Sequence, residues 1–212
     1  MNWIHLTWSM QVREENERND HPQLQFALIT IKDGQVIVHD HHTGKRLRRG
    51  KVLHWGSIRS GRSVPTPENP YFGIVVRAIE LDNSRGNRKD DRNLFFEDIR
   101  SKSQAIFDSG RVPTANDLLE FGLRRLKNDL GDDDDRIGVN ARAFPEYGSL
   151  ISSETPDWIY HYNLSFTDER EGRGYLSTAK HIRNLPFREN GAFYNLSVDL
   201  IITPNEPVPS YP

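Results

Sequence analysis

The sequence predicts a mainly β protein, an antiparallel β-sandwich with a two-helix insertion near residues 90–130. Three observations support this fold class. Apolar and polar residues alternate in several segments near both ends of the chain, as they do in half-buried strands. An Asp-Gly pair at positions 33–34 separates two β-branched runs, which is typical of a tight hairpin. Helical spacing of apolar residues is confined to the middle of the chain. We therefore expect a single domain over residues 1–203 and a proline-rich tail over residues 204–212.

The composition limits the classes of protein to consider. The chain has 212 residues, of which 35% are hydrophobic and 27% charged, so it can bury a core beneath an extensive polar surface. Its formal net charge of −2 indicates no broad basic face, and we expect no nucleic-acid partner. The absence of cysteine excludes disulfides, thiolate metal sites and a cysteine nucleophile, which fits a reducing cytosol or a bacterial protein of any location.

The start of the sequence carries no recognisable export signal. Residues 1–8 lack the basic start and the apolar core of a signal peptide. No segment approaches the roughly 20 apolar residues that a membrane-spanning helix needs. We therefore expect a cytoplasmic protein or one exported by a non-classical route, and the sequence leaves its oligomeric state open.

The first part of the chain predicts strands. Residues 3–12 alternate between apolar and polar side chains, which indicates a half-buried strand. Residues 24–32 and 35–40 form the two arms of the predicted hairpin, and residues 52–55 suggest a short returning strand. These segments together predict an antiparallel meander over the opening 55 residues.

The middle of the chain changes period. Residues 71–82 are the most β-prone run and predict a central strand. Helical spacing over about residues 90–107 predicts a first helix that ends before Gly110. Thr114 and Asp117 have the spacing of an N-terminal cap for a second helix. We expect the pair to pack on one end or face of a sheet. The predicted apolar stripe of the second helix comprises Leu119, Leu123, Leu126 and Leu130.

The last part of the chain returns to β periodicity. Residues 139–144, 158–166 and 192–203 each predict a strand. Residues 175–182 carry a weaker pattern of the same kind. The chain therefore contains enough strands on both sides of the helices for two sheets.

Acidic residues flank the helical segment on both sides. Glu80 and Asp82 alternate onto one face at the end of the predicted central strand. Four consecutive carboxylates at 132–135 repel one another, and they directly precede a segment in which Ile137 is apolar and Gly138 permits an unusual backbone angle. Carboxylates at the mouth of a strand form a hard-oxygen site that suits calcium. The candidate metal ligands are Glu80, Asp82, Asp132, Asp133, Asp134 and Asp135.

This arrangement resembles the third calcium loop of the calcium- and phospholipid-binding β-sandwich modules of protein kinase C and synaptotagmin. Residues 80–82 match the alternating acidic end of one strand, and residues 134–138 match the Asp-Asp-x-Ile/Leu-Gly segment that opens the next. The chain departs from the family because a helical segment stands where a short loop belongs. The resemblance implies a calcium cofactor and docking on an anionic membrane surface.

The acidic run also has a simpler interpretation, a solvated charge run that follows a helix. Negative charge at a helix C-terminus is unfavourable, which favours a compensating cation nearby. Arg124, Arg125 and Arg136 are candidates for that cation.

Histidines form a second group of candidate ligands. His39 and His41 share one face of the predicted strand, and we expect His54 on the strand that pairs with it. Imidazoles in this arrangement bind zinc, nickel or copper. An exposed hairpin end decorated with polar residues explains the same pattern.

Basic residues at 45–51, together with Arg59 and Arg62, form a third group. They suit contact with anionic lipid, phosphate or a protein partner. A charged sheet edge that blocks aggregation is the alternative.

No catalytic motif stands out in the sequence. We therefore expect a non-enzymatic calcium-binding module that docks on a membrane surface, a glycan or a protein partner. One alternative is a metal-free toxin or effector component that acts through protein–protein contacts. The second is a metal-dependent hydrolase that uses His39, His41 and His54.

Overall fold

The fold is given by a computed structural model. It describes residues 3–14, 22–44, 52–55, 64–65, 71–80, 88–126, 136–144, 159–168, 173–189 and 192–203. The first strands are β1 (Trp3–Glu14), β2 (Pro22–Lys32), β3 (Gln35–Gly44), β4 (Val52–Trp55), β5 (Val64–Pro65) and β6 (Phe72–Glu80). Two helices follow, α1 (Arg88–Asp108) and α2 (Ala115–Leu126). The remaining strands are β7 (Arg136–Phe144), β8 (Ile159–Asp168), β9 (Arg173–Glu189) and β10 (Ala192–Thr203).

The strands form two sheets, and every described pairing is antiparallel. Sheet A has the order β4-β1-β10-β9-β8, with β5 paired to β1. Sheet B has the order β3-β2-β6-β7. The prediction of a mainly β, antiparallel protein with two helices is confirmed. The predicted tail at 204–212 lies outside the described residues.

The predicted hairpin is confirmed, whereas the predicted meander is wrong. Asp33 and Gly34 connect β2 to β3 with φ angles of 51° and 76°, the left-handed values that a two-residue hairpin turn needs. However, β1 pairs with β10 from Trp3↔Thr203 onward and also with β4, so it belongs to the other sheet. Alternation identifies a strand but carries no information about its partner, and this partner is at the far end of the chain.

The helices pack on one face of sheet B. Alternate residues of its strands point to this face and meet the apolar side of each helix. The buried residues there are Ala27, Ile29, Ile31, Val36, Tyr71, Val75 and Ala141 from the sheet and Phe95, Phe96, Ile99, Leu118 and Phe121 from the helices. The expectation that the helices cover a sheet face is met.

The opposite face of sheet B is buried as well. Phe26, Ile74 and Val76, which are among the other alternate residues of β2 and β6, are at most 1% exposed. The ring centroids of Trp8 in β1 and Phe26 in β2 lie 5.7 Å apart, so these side chains connect the two sheets. The amide of Asn140 in β7 also donates to the carbonyl oxygen of Pro186 in β9, at 2.6 Å.

The predicted leucine stripe of α2 is wrong in its angular position. Leu118 and Phe121 are buried, whereas Leu123 is 41% exposed, and Leu119 is only half-buried. Gly122 explains the difference, because a Cβ atom there would lie 2.6 Å from Cγ1 of Val139 in β7. The helix approaches the sheet through its glycine. The side chain of Leu126 and all of Leu130 lie outside what the structure describes.

Local signals at the helix ends and in the later strands are confirmed. The Thr114 hydroxyl accepts a hydrogen bond from the Asp117 amide at 3.3 Å, and Asp117 accepts one from the Thr114 amide at 2.8 Å, so the predicted cap is reciprocal. The weak strand predicted at 175–182 belongs to a 17-residue strand, β9. Residues 173–182 of β9 pair with β8 and residues 178–189 pair with β10, so the middle of the strand has a partner on both sides.

Candidate functional site

The C-terminal end of β6 and the N-terminal end of β7 are hydrogen-bonded neighbours. Ala78 pairs with Gly138 and Ile79 pairs with Arg136, so Ile137 forms a bulge on β7. Gly138 has a φ of 132°, which a residue with a Cβ adopts only with strain. The glycine that follows the acidic run is therefore required by the bulge at the start of the strand.

This pairing brings together the two points of the chain that adjoin the predicted calcium ligands. The chain leaves β6 at Glu80 and returns to the sheet at Arg136 on the neighbouring strand. Asp82 follows Glu80 by two residues, and the run 132–135 immediately precedes Arg136. The side chain of Glu80, together with Asp82, Asp132, Asp133, Asp134 and Asp135, lies outside the described residues. The structure thus relates the strand ends and leaves the carboxylates themselves undescribed.

Two further strand ends lie at the same end of sheet B. Pro22, the first residue of β2, pairs with Glu80, and Gln23 pairs with Gly44, the last residue of β3. The basic segment 45–51 follows Gly44 directly in the sequence, although it lies outside the described residues. Only β2 separates β3 from β6, which corresponds to about 10 Å between their backbones.

A polar row crosses the helix-covered face of sheet B near this end. The register places His42, Gln25, Arg77 and Val139 side by side on β3, β2, β6 and β7. Arg77 is fully buried and donates to Oε1 of Gln25 from Nε at 2.8 Å and from Nη2 at 2.5 Å. Its guanidinium also lies 4.1 Å from the ring centroid of Phe95, which covers it from α1.

Arg77 is a site residue that no motif in the sequence marks. The available signal was a single charged residue inside the otherwise apolar run 72–79. A charge at such a position must be hydrogen-bonded, because an unpaired buried cation is too costly. Gln25, on the neighbouring strand, supplies an acceptor.

His42 contacts the first helix on the same face. Its Nε2 lies 2.7 Å from Nη1 of Arg92, so the imidazole accepts and is neutral in this arrangement. Burial lowers the pKa of His42, and the charge of Arg92 lowers it further, whereas Asp40 acts in the opposite direction. This histidine therefore favours its uncharged form in the folded protein.

The predicted histidine cluster is changed by the topology. His39 faces away from the helices, with its Nε2 3.2 Å from the Thr30 hydroxyl, and by alternation His41 shares that face. His54 is in β4, which pairs with β1 rather than with β3, so the expected partner strand was wrong. The side chains of His41 and His54 are outside the described set. Among the described side chains, no three His, Asp or Glu residues are placed to hold a metal ion.

No described helix is both long and apolar enough to cross a membrane. No protein family, curated protein or solved structure matches this chain.

Proposed function

We propose that this protein is a non-enzymatic calcium-binding module in which sheets A and B form a β-sandwich and one end of sheet B binds the ion. The observation that carries the proposal is the pairing of Ile79 with Arg136. Two acidic segments that are about 50 residues apart in the sequence therefore start from adjacent strand ends. The contact of Trp8 with Phe26 supports the sandwich arrangement.

Electrostatics favour a divalent cation between these segments. Carboxylates that converge at a sheet end repel one another, and calcium removes that repulsion by taking about six to eight oxygen ligands. Asp82, Asp134 and Asp135 are the ligands that we favour, with Glu80, Asp132 and Asp133 as further candidates. Backbone carbonyls and water complete the shell.

The docking target that we favour is an anionic membrane surface. The basic segment 45–51 begins at the same end of sheet B, because β3 ends beside the start of β2. Each lysine or arginine near an anionic surface contributes about 1 kcal/mol to binding. Bound calcium would neutralise the acidic segments and leave this basic charge dominant. In the alternative without calcium, the acidic run is a solvated charge run, and Arg124, Arg125 or Arg136 supplies the compensating cation.

Calcium titration calorimetry and thermal unfolding distinguish these alternatives. Calcium at a hundred times its Kd adds about 2.7 kcal/mol of stability, which raises Tm by roughly 5–10 °C for a domain of this size. We expect EGTA to reverse the shift and the double substitution Asp134→Ala with Asp135→Ala to abolish it. The matched control, Glu97→Ala with Glu120→Ala, removes two carboxylates from the helices and should retain the shift. Equal melting curves with and without calcium would exclude the proposal.

Vesicle sedimentation tests the target separately. We expect calcium-dependent binding to vesicles containing phosphatidylserine and none to vesicles of phosphatidylcholine alone. Replacing Arg46, Arg48 and Arg49 by glutamate should abolish sedimentation while the calcium-dependent rise in Tm persists. Sedimentation that is unaffected by these replacements would show that the basic segment is not the docking surface.

A further inference from the structure

The side-chain amide of Gln104 in α1 occupies the hydrogen-bonding position of a neighbouring strand. Its Oε1 accepts from the backbone N–H of Val36 at 2.7 Å, and its Nε2 donates to the carbonyl oxygen of Gly34 at 3.2 Å. A residue on a parallel strand makes the same pair of hydrogen bonds. Its N–H donates to the carbonyl oxygen of one residue of the neighbouring strand, and its own carbonyl oxygen accepts from the N–H two positions further along that strand. Gln104 thus stands where one residue of an added parallel strand would stand.

The strand that Gln104 contacts is the outermost described strand on its side of sheet B. Its hydrogen bonds to β2 alternate along the ladder, so every second residue turns its N–H and C=O outward. Val36 is one of the outward residues, as its bond to Gln104 shows, and Val38 is the next. Within the part of the chain that the structure describes, the outer side of β3 therefore presents a main-chain edge that continues from Val36 to Val38.

The first helix forms a groove with this edge. It runs antiparallel to β3, because Gln104 contacts the start of the strand whereas Arg92 contacts His42 near its end. The groove has a volume of about 610 Å³, within the range of ligand-binding clefts, about 300–1,000 Å³. Its lining includes Gly34 and Val36 from the strand and Arg100, Gln104 and Asp108 from the helix.

The groove has opposite charges at its two ends. Arg100 and Asp108 are eight residues apart on one flank of the helix, which corresponds to about 12 Å, or three to four residues of extended peptide. Arg100 has a 3.4 Å ion pair with Glu97, and both side chains are more than half exposed, so this pair is weak. A strand parallel to β3 would direct its C-terminal end toward Arg100 and its N-terminal end toward Asp108.

We propose that this groove binds an extended peptide of another protein, which adds to β3 as a parallel strand and places a carboxylate against Arg100. Without the peptide, the side chain of Gln104 is hydrogen-bonded to the edge of β3, and the peptide replaces these hydrogen bonds when it binds. Main-chain bonding of this kind gives affinity, and the charged ends select direction and sequence. The carboxylate is either a chain terminus or an acidic side chain. The proposal is independent of calcium binding, because the groove lies at the opposite end of β3 from the acidic segments.

A second copy of the chain fits the groove less well. Two identical edge strands related by two-fold symmetry pair antiparallel, because the symmetry reverses strand direction. The bonds of Gln104 to Gly34 and Val36 have the parallel pattern instead. The hydrogen-bonding pattern therefore favours a different polypeptide.

Fluorescence anisotropy with labelled peptides tests the proposal. The probes are an N-terminally labelled Thr-Val-Thr-Val free acid, its C-terminal amide, and amides ending in glutamate or lysine. We expect Arg100→Glu to weaken binding of the free acid or the glutamate peptide by about tenfold or more and to favour the lysine peptide. Tighter binding of the free acid than of the glutamate amide would identify a chain terminus, and the reverse order an acidic side chain.

Amide NMR signals locate the binding. We expect the signals of Val36 and Val38 to move with the preferred peptide, and Gln104→Ala to tighten binding several-fold because the edge is vacated. No movement of these signals at millimolar peptide, in either the wild type or Gln104→Ala, would overturn the proposal. Self-association of Gln104→Ala in light scattering would also overturn the proposal. The role of Gln104 would then be to prevent a second copy of the chain from pairing with the edge of β3.

Discussion

The guanidinium of Arg77 donates two hydrogen bonds to the side-chain oxygen of Gln25 across the interior of sheet B. The two residues are directly paired on β6 and β2, and both are at most 2% exposed. Phe95 closes the site from the helix side. Gln25 is itself oriented by a bond from its amide to the side chain of Gln23 at 2.8 Å.

We expect Gln25→Leu to destabilise the protein by about 1.5–3 kcal/mol, since the buried charge of Arg77 loses an acceptor. Adding Arg77→Met should recover most of that loss, because an apolar pair of similar volume carries no desolvation cost. Urea unfolding of the wild type, both single variants and the double variant measures the coupling. Strictly additive effects would show that the pair does not act as a unit.

Gly122→Ala tests the close approach of α2 to sheet B. Alanine favours the helix by about 1 kcal/mol relative to glycine, but its Cβ would lie 2.6 Å from Cγ1 of Val139. We expect the clash to prevail and to cost about 1–3 kcal/mol overall. In the background of Val139→Ala the same change should become neutral or stabilising, as measured by urea unfolding. A stabilised Gly122→Ala single variant would contradict this packing.

The features that the sequence predicts correctly are those with local causes. Asp33-Gly34 specifies its turn through backbone angles, and Thr114 with Asp117 specifies a cap within one helical turn. The partner of β1 is β10, almost 200 residues away, and no local pattern encodes that choice. The side of α2 that is buried depends on the absence of a side chain at Gly122. In the sequence alone, a glycine lowers both the helix propensity and the apolar content of that side.

The same distinction applies to the functional residues. Glycine after the acidic run was notable in the sequence, and the bulge beside Ile79 explains why Gly138 is needed there. The groove between α1 and β3 was not predictable, because it depends on a glutamine that reaches a strand 68 residues earlier in the chain. A single glutamine on a helix has no sequence pattern that indicates such a contact.

The cap of α2 predicts a dependence of stability on pH. The hydrogen bond from Arg111 is the main cause that holds the pKa of Asp117 well below its usual value of 3.8, and Thr114 contributes in the same direction. Because the folded-state pKa is depressed, this carboxylate stabilises the fold above about pH 4, and the contribution is lost as the pH falls toward the folded-state pKa. We expect Asp117→Asn to be less stable than wild type at pH 7 by about 0.5–2 kcal/mol.

Urea unfolding at pH 7 and at pH 2 measures this effect. The difference between wild type and Asp117→Asn should shrink at the lower pH, because the wild-type carboxyl is then largely protonated when the protein is unfolded and partly so when it is folded. Thr114→Ala provides the comparison, since loss of its hydroxyl should cost about 1 kcal/mol at neutral pH. An undiminished difference at pH 2 would show that Asp117 acts only as a neutral hydrogen-bond acceptor.

The pKa of His42 depends on its burial and on two neighbours of opposite charge. Burial and Arg92 lower it from the usual 6.5, while Asp40 raises it. Arg92→Met should therefore raise the pKa of His42, and Asp40→Asn should lower it further. Histidine NMR titration of the two variants measures these opposite shifts directly, so general unfolding or loosening of the strand cannot account for both.

The consequence for stability has a defined sign. Protonation of His42 is easier in the unfolded chain than in the folded one, so its neutral form stabilises the fold above about pH 6.5 and this contribution is lost as the pH falls through the folded-state pKa. His42→Gln keeps a hydrogen-bonding group for Arg92 without the titration, and its stability should depend less on pH between about 5 and 7. If His42 titrates at the same pH in the wild type, in Arg92→Met and in Asp40→Asn, the contact between Nε2 of His42 and Arg92 does not exist in solution.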